Sequence, residues 1–262
     1  MLDKSLNYLI PNKVDDLIRL GNNRDAGYVV PSSSIKNCDF LISFGMAENF
    51  SMERDFLKLN KQNQIHMYDH TIDRNFFYKR IYKSIKRLLY FKSNIKNIKK
   101  KIKDFEDYKN IIKNKNVVHF KDKIGGQNDT SISNVISRIS SNKKIFLKSD
   151  IEGSEFDFVN DINKNSENIH LMVIEFHFLN KNRLIFKNAI IELKKNFNLI
   201  HLHGNNYAGY CEDGLPKVLE ITFTNKRHYK VNENQYNLSF PIKNLDYQNV
   251  ETKKDLQFSF NI

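Results

Sequence analysis

KKIFLKSDIEGSEF, residues 143–156, holds an apolar run (Ile145, Phe146, Leu147) that breaks off into Asp150, Glu152, Gly153 and Glu155. A parallel strand buried on both faces reads as such a run, and open α/β folds keep their ligands beyond the carboxyl ends of the strands. Other runs close the same way. Residues 65–70 end around Asp69, 170–177 on Glu175 and His177, and 198–203 on His201 and His203. Core packing does not call for polar groups at one end of successive strands. A small-molecule site does.

Around this stretch, short apolar or alternating runs predict strands at 40–44, 65–69, 117–120, 145–148, 170–176, 199–203 and 218–224. Helical periodicity fills most of the intervals, at 52–59, 132–139, 155–162 and 184–197. Strand and helix in alternation imply right-handed crossovers and a mostly parallel sheet with helices on both faces. Only the turn-rich HGNNYAGYCEDGLPK separates the last two runs, so that pair is expected to be antiparallel. Seven strands ending in such a hairpin suit the Rossmann-like class I methyltransferase variant of the α/β fold better than the dehydrogenase variant.

With 262 residues and 40% hydrophobic content, the chain can bury a full core as one domain over 1–262. Cys38 and Cys211 make no disulfide framework or metal cluster. No apolar run reaches the roughly 20 residues of a membrane span. The opening MLDKSLNYLIPNK lacks a secretory apolar core, so the cytoplasm is the expected compartment.

The net charge of +12 suggests a nucleic-acid partner until it is mapped. Residues 74–115 hold 15 Lys/Arg against 3 Asp/Glu, which is the entire excess. Within 75–114 the apolar residues Ile81, Ile85, Leu88, Ile95, Ile98, Ile102, Phe105 and Ile112 recur at helical spacing. This predicts an amphipathic helix or helical hairpin inserted after the second strand. A solvated cover is the plain reading. A lid, an anchor on an acidic membrane, a clamp for an anionic ligand, or a stripe buried against a second copy in a homodimer are the functional ones.

The strand ends supply the candidate site. Gly45 is all that remains of a glycine-rich turn after the first strand, and the absent G-x-G-x-x-G disfavours a nicotinamide enzyme. Asp69 lies 24 residues further on, about where a carboxylate accepts ribose hydroxyls; a turn or helix cap is its ordinary use. Asp122 sits where an adenine amino group could be read, next to Gly125, Gly126 and a helix capped by Thr130 or Ser131. Asp150 and Glu152 are functional candidates, facing a cationic group or a divalent cation, whereas Glu155 reads as a first-turn helix acid. Glu175 with His177, and His201 with His203, stand two apart and so on the same side of their strands. Histidine near its ordinary pKa of about 6.5 suits removal of a hydroxyl proton.

The blocks R-x-G-x-x-x-D-A-G-Y (Arg19, Gly21, Asp25, Ala26, Gly27, Tyr28), SFGMAENFSMERDF, YDHT, LKSDIEGSEF, VIEFH and HLHGNN together resemble the FkbM-like family of S-adenosylmethionine-dependent methyltransferases. The resemblance runs from about Arg19 to Thr224. It implies O-methylation of a sugar or sugar nucleotide, for surface polysaccharide such as capsule or lipopolysaccharide. It puts S-adenosylmethionine against Gly45, Asp69, Asp122, Asp150 and Glu152. Tyr28, His201, Asn205 and Asn206 are implied for the acceptor. His177 or His203 is expected as the base, with Glu175 orienting it or binding a substrate hydroxyl, and Asp150 near the amino-acid end of the cofactor or the reacting centre. A divalent ion on Asp150, Glu175 and His177 ranks below direct base catalysis. The rival is a nucleic-acid-binding protein or nucleic-acid methyltransferase that grips through 75–114.

Overall fold

The structure is a computed structural model and describes residues 1–126 and 129–261. After a 3-10 helix at Lys4–Leu9 come strands β1 (Leu17–Leu20) and β2 (Tyr28–Pro31), helix α1 (Ser32–Lys36), β3 (Phe40–Phe44) and α2 (Ser51–Leu59). Next are β4 (Gln64–Tyr68), α3 (Arg74–Leu89), α4 (Ile95–Ile112), β5 (Val117–Phe120), α5 (Ile132–Ser137) and β6 (Ile145–Ser149). The chain continues through α6 (Val159–Lys164), β7 (Ile169–Phe176), α7 (Arg183–Leu193), β8 (Phe197–Gly204) and β9 (Leu219–Asn225). A two-stranded tail, β10 (Ser239–Phe240) and β11 (Phe258–Ser259), follows.

Seven strands form the central sheet in the order β5-β4-β3-β6-β7-β9-β8, and β9 runs antiparallel to both its neighbours while the other pairs are parallel. All seven expected strands are present, and the late hairpin is antiparallel as read. Alternation divides the core. Phe40, Ile42 and Phe44 face one cluster with α5, α6 and α7, while Leu41 and Phe146 face the other with α1, α2 and the β1–β2 hairpin. Both faces are therefore covered.

The insertion is a helical hairpin. Asp73 caps α3 by accepting from Phe76 N–H (2.7 Å), and Asn94 caps α4 by accepting from Asn97 N–H (3.0 Å). At its base Phe77 stacks on Phe105 and Tyr108, with ring centroids 5.4 and 5.0 Å apart, and Ile111 joins the same cluster. The apolar stripe is thus used inside the chain at the base and left open at the tip. Among the described residues no helix is long and apolar enough to cross a membrane.

One helix starts later than its periodicity suggests. α6 begins at Val159, so Glu155 is not a first-turn acid. It is buried in the loop before the helix and serves another group, as set out below.

Candidate active site

β3 is flanked by β4 on one side and β6 on the other, so successive crossovers part there and open a crevice at the strand ends. Gly45 follows β3 with φ +67, and a Cβ on it would come within 1.7 Å of the Asp150 carbonyl oxygen. Only glycine lets the ends of β3 and β6 approach so closely. The buried Lys148 ammonium fastens the junction. It donates to the carbonyls of Phe44 (3.2 Å) and Gly45, and lies 3.6 Å from Asp150 Oδ2.

A cavity of about 270 Å³ opens at this point. Asp69 enters from the end of β4. Its Oδ2 accepts from Met46 N–H (3.2 Å), and its Oδ1 accepts from the Thr71 N–H (2.8 Å) and hydroxyl (2.6 Å). A carboxylate has about four acceptor sites, so Oδ2 retains capacity for a ligand hydroxyl. Asp122 pairs with Arg138 at 2.6 Å, and Ser131 caps α5. Tyr68, Ile124 and Ile151 form an apolar slot between these carboxylates. Gly45, Asp69, Asp122, Asp150 and Glu152 all line the cavity. An apolar slot edged by carboxylates fits a nucleoside with a cationic sulfonium.

A second cavity, of about 380 Å³, shares Ala47, Asp150 and Glu152 with the first. His177 follows β7, and its Nδ1 lies 2.6 Å from Glu155 Oε1. Its Nε2 points among three carboxylates: Glu152 at 3.6 Å, Asp150 at 3.7 Å and Glu175 at 3.9 Å. Burial pulls the imidazole pKa down, but the Glu155 hydrogen bond and the surrounding carboxylates outweigh it, and the net shift is upward. Glu175 accepts from Asn205 Nδ2 (2.8 Å). Burial, and then the Asp150 and Glu220 charges, push its carboxyl well above the usual range.

The loop between β1 and β2 delivers Asp25 to this cavity. It is wound around the Arg19 guanidinium, which donates to the carbonyls of Asn22 (2.7 Å), Arg24 (2.8 Å) and Leu245 (3.0 Å). A Cβ at Gly27 would strike Asn22 O at 2.0 Å, which explains the glycine in the D-A-G-Y block. Burial first, then Asp150 and Glu220, raise the pKa of Asp25. Asn249, from the tail, also lines the cavity and donates to Glu220 Oε1 at 2.8 Å.

Several expected site residues lie elsewhere. His203 is corrected as a base: it is buried away from both cavities between Glu220 (3.0 Å) and Asp255 (3.3 Å). Burial opposes its charge, but Glu220 and Asp255 prevail and raise its pKa to about 10, so it stays protonated at neutral pH. His201 is corrected as an acceptor contact; its Nε2 lies 3.1 Å from Asp246. Asn206 is corrected as well, because its amide donates to the carbonyls of Val250 and Lys253 (both 3.0 Å) and accepts from Val250 N–H. The reason is common to all three. β8 is the edge strand, two strands beyond β7, and tail residues Val250, Lys253 and Asp255 contact its end. Tyr28 is buried below the site, lines neither cavity, and has its pKa raised by burial. Asp25, Asn249 and Glu155 were not assigned to the site from sequence. Asp25 could have been found within the D-A-G-Y block, whereas nothing local marks Asn249.

No protein-family model matches the chain, and no curated protein matches it. Solved structures similar to it include a fibrillarin pre-rRNA processing protein from Methanococcus jannaschii (8% identity, 73% of this chain and 68% of that one, TM-score 0.41). Precorrin-6y C5,15-methyltransferase from Geobacter metallireducens is another (9%, 74% and 85%, 0.37), as is the 23S rRNA methyltransferase ErmE (7%, 75% and 68%, 0.39). The strand order, with its single antiparallel strand next to the edge, is that of the Rossmann-like class I methyltransferase fold.

Proposed function

We propose that residues 1–262 act as one methyltransferase domain that methylates a hydroxyl of a sugar, free or nucleotide-linked, for surface polysaccharide. The observation that carries this reading is the shared wall of the two cavities, Ala47, Asp150 and Glu152. S-adenosylmethionine would supply a methyl group on a sulfonium. Asp69 and Asp122 would hold its nucleoside, with Tyr68, Ile124 and Ile151 around the base. Asp150 and Glu152 would face its cationic end.

The acceptor side is rich in carboxylates and amides: Asp25, Glu175, Asn180, Asn205 and Asn249 line it with Tyr207. Such walls hydrogen-bond many hydroxyls. In the ion-free chain, His177 Nε2 is the basic atom for the hydroxyl proton, with Glu155 fixing the ring through Nδ1. Calorimetry with S-adenosylhomocysteine tests the cofactor, and a screen of nucleotide-linked sugars for methyl uptake tests the acceptor. Absence of S-adenosylhomocysteine binding would remove the reading.

Nucleic-acid methylation is the second reading, favoured by the charge of residues 74–115. It predicts RNA or DNA binding that weakens steeply with salt. We assign the hairpin instead to an anionic membrane surface on the cytoplasmic side. Its tip exposes Leu89, Tyr90, Phe91 and Ile95, with Phe91 98% exposed, and the exposed Lys86, Arg87, Lys92 and Lys96 lie beside them in sequence. Exposed apolar side chains interleaved with lysine and arginine match lipid acyl chains below anionic headgroups.

A further inference from the structure

The shared wall holds an arrangement that proton transfer alone does not explain. His177 is buried, its side chain 8% exposed, and its Nδ1 is taken by Glu155. Its Nε2 has no hydrogen-bond partner among the described residues. It faces three carboxylates at 3.6–3.9 Å, too far for a hydrogen bond. Donor atoms of Asp150, Glu175 and His177 all lie within 4.8 Å of one another. Two donors on one ion, at bond lengths of about 2.0–2.2 Å, stand roughly 3.0–3.6 Å apart. A contraction on the order of 1 Å therefore closes this group around an ion.

We propose that Asp150, Glu175 and His177 Nε2 bind a divalent first-row transition ion at the junction of the two cavities. Each ligand already has an outer partner that sets its orientation: Glu155 behind His177 (2.6 Å), Asn205 on Glu175 (2.8 Å) and Lys148 beside Asp150 (3.6 Å). A metal-ligating histidine typically gives its other ring nitrogen to a carboxylate in this way. One imidazole and two carboxylates suit manganese or zinc. The charge balance agrees, because Asp25, Asp150, Glu152 and Glu175 line one cavity whose cationic side chains among the described residues are only His177 and Lys217.

This rests on the hydroxyl-methylation reading and refines its deprotonation step. With the ion bound, His177 is a ligand and not the base. The ion would make an acceptor hydroxyl more acidic, since a bound cation lowers the pKa of a coordinated O–H. The proton passes to Glu152, whose carboxylate is 80% exposed and can hand it to water.

The test uses the full chain stripped with chelator and titrated with Mn²⁺, the free ion being read by paramagnetic resonance. One ion per chain is expected, with affinity reduced at least tenfold in Glu175→Gln and in His177→Ala. In the wild-type protein Mn²⁺ should also broaden the His177 ring signals before those of the distant His170 and His228. The proposal is overturned by no binding at millimolar Mn²⁺, or by wild-type binding that leaves the His177 signals sharp, which needs no variant to fold. S-adenosylhomocysteine calorimetry on the same samples separates the outcomes: ion binding without nucleoside binding would sink the methyltransferase reading and leave the ion site standing.

Discussion

His177 Nδ1 lies 2.6 Å from Oε1 of Glu155, a carboxylate with no exposed surface. Glu155 also accepts from Gly153 N–H at 3.0 Å, so the turn after β6 and the end of β7 meet at one oxygen. In the ion-free protein the His177 midpoint, followed by NMR, should lie above the ordinary 6.5. Glu155→Gln should bring it down. The sign follows from the upward shift: the proton is held more tightly in the fold, so base function needs a higher pH. A midpoint in the wild type at or below 6.5 would contradict this account.

Asp69→Ala should weaken S-adenosylhomocysteine binding by about tenfold or more, the usual loss for a hydrogen bond to a charged group. The carboxylate also holds the Thr71 turn, so thermal melting must accompany the calorimetry. Unchanged affinity in a folded variant would remove Asp69 from the cofactor site.

Gly45→Ala should destabilise the chain by about 3 kcal/mol or more, read from urea unfolding. Both the φ of +67 and the clash with the Asp150 carbonyl oppose a side chain there. A stable variant would mean the strand ends sit further apart than described.

His203 is a buried cation with a pKa of about 10 in the fold against 6.5 when exposed. Its stabilising contribution is complete below pH 6.5 and fades as pH climbs toward 10. The urea midpoint should fall across that window. His203→Gln should flatten the slope and cost about 3–5 kcal/mol at neutral pH, leaving Glu220 and Asp255 uncompensated.

Phe91→Ser combined with Leu89→Ser should reduce sedimentation with phosphatidylglycerol vesicles at least tenfold, as loss of two buried apolar side chains implies. Phosphatidylcholine vesicles should bind poorly from the start. Light scattering that shows a wild-type dimer dissolved by the same substitutions would assign the tip to a second copy instead.

The seven sheet strands were legible because each carries a short apolar or alternating run, and 75–114 was legible because its apolar residues recur at helical spacing. The β1–β2 hairpin escaped because it lies outside the strand–helix alternation, and β10 and β11 because two residues carry no period. Glu155 was misread because acids at that distance from a helix usually serve its dipole, and only the fold reveals that the His177 ring lies 2.6 Å away. His201 and His203 show a further limit. Alternation says which way a side chain points and where a strand ends. It does not say that β8 is the edge, nor that a tail lies over it.

Because β9 runs between β7 and β8, Glu175, Glu220 and His203 stand directly opposite one another across three strands. Asp255 completes the row from the tail. A positive charge erased at His203 would leave Glu220 facing Glu175 with less to offset it, and Glu175 would keep its proton to still higher pH. Sequence change far down the chain can therefore retune the acidity of the acceptor pocket without touching it.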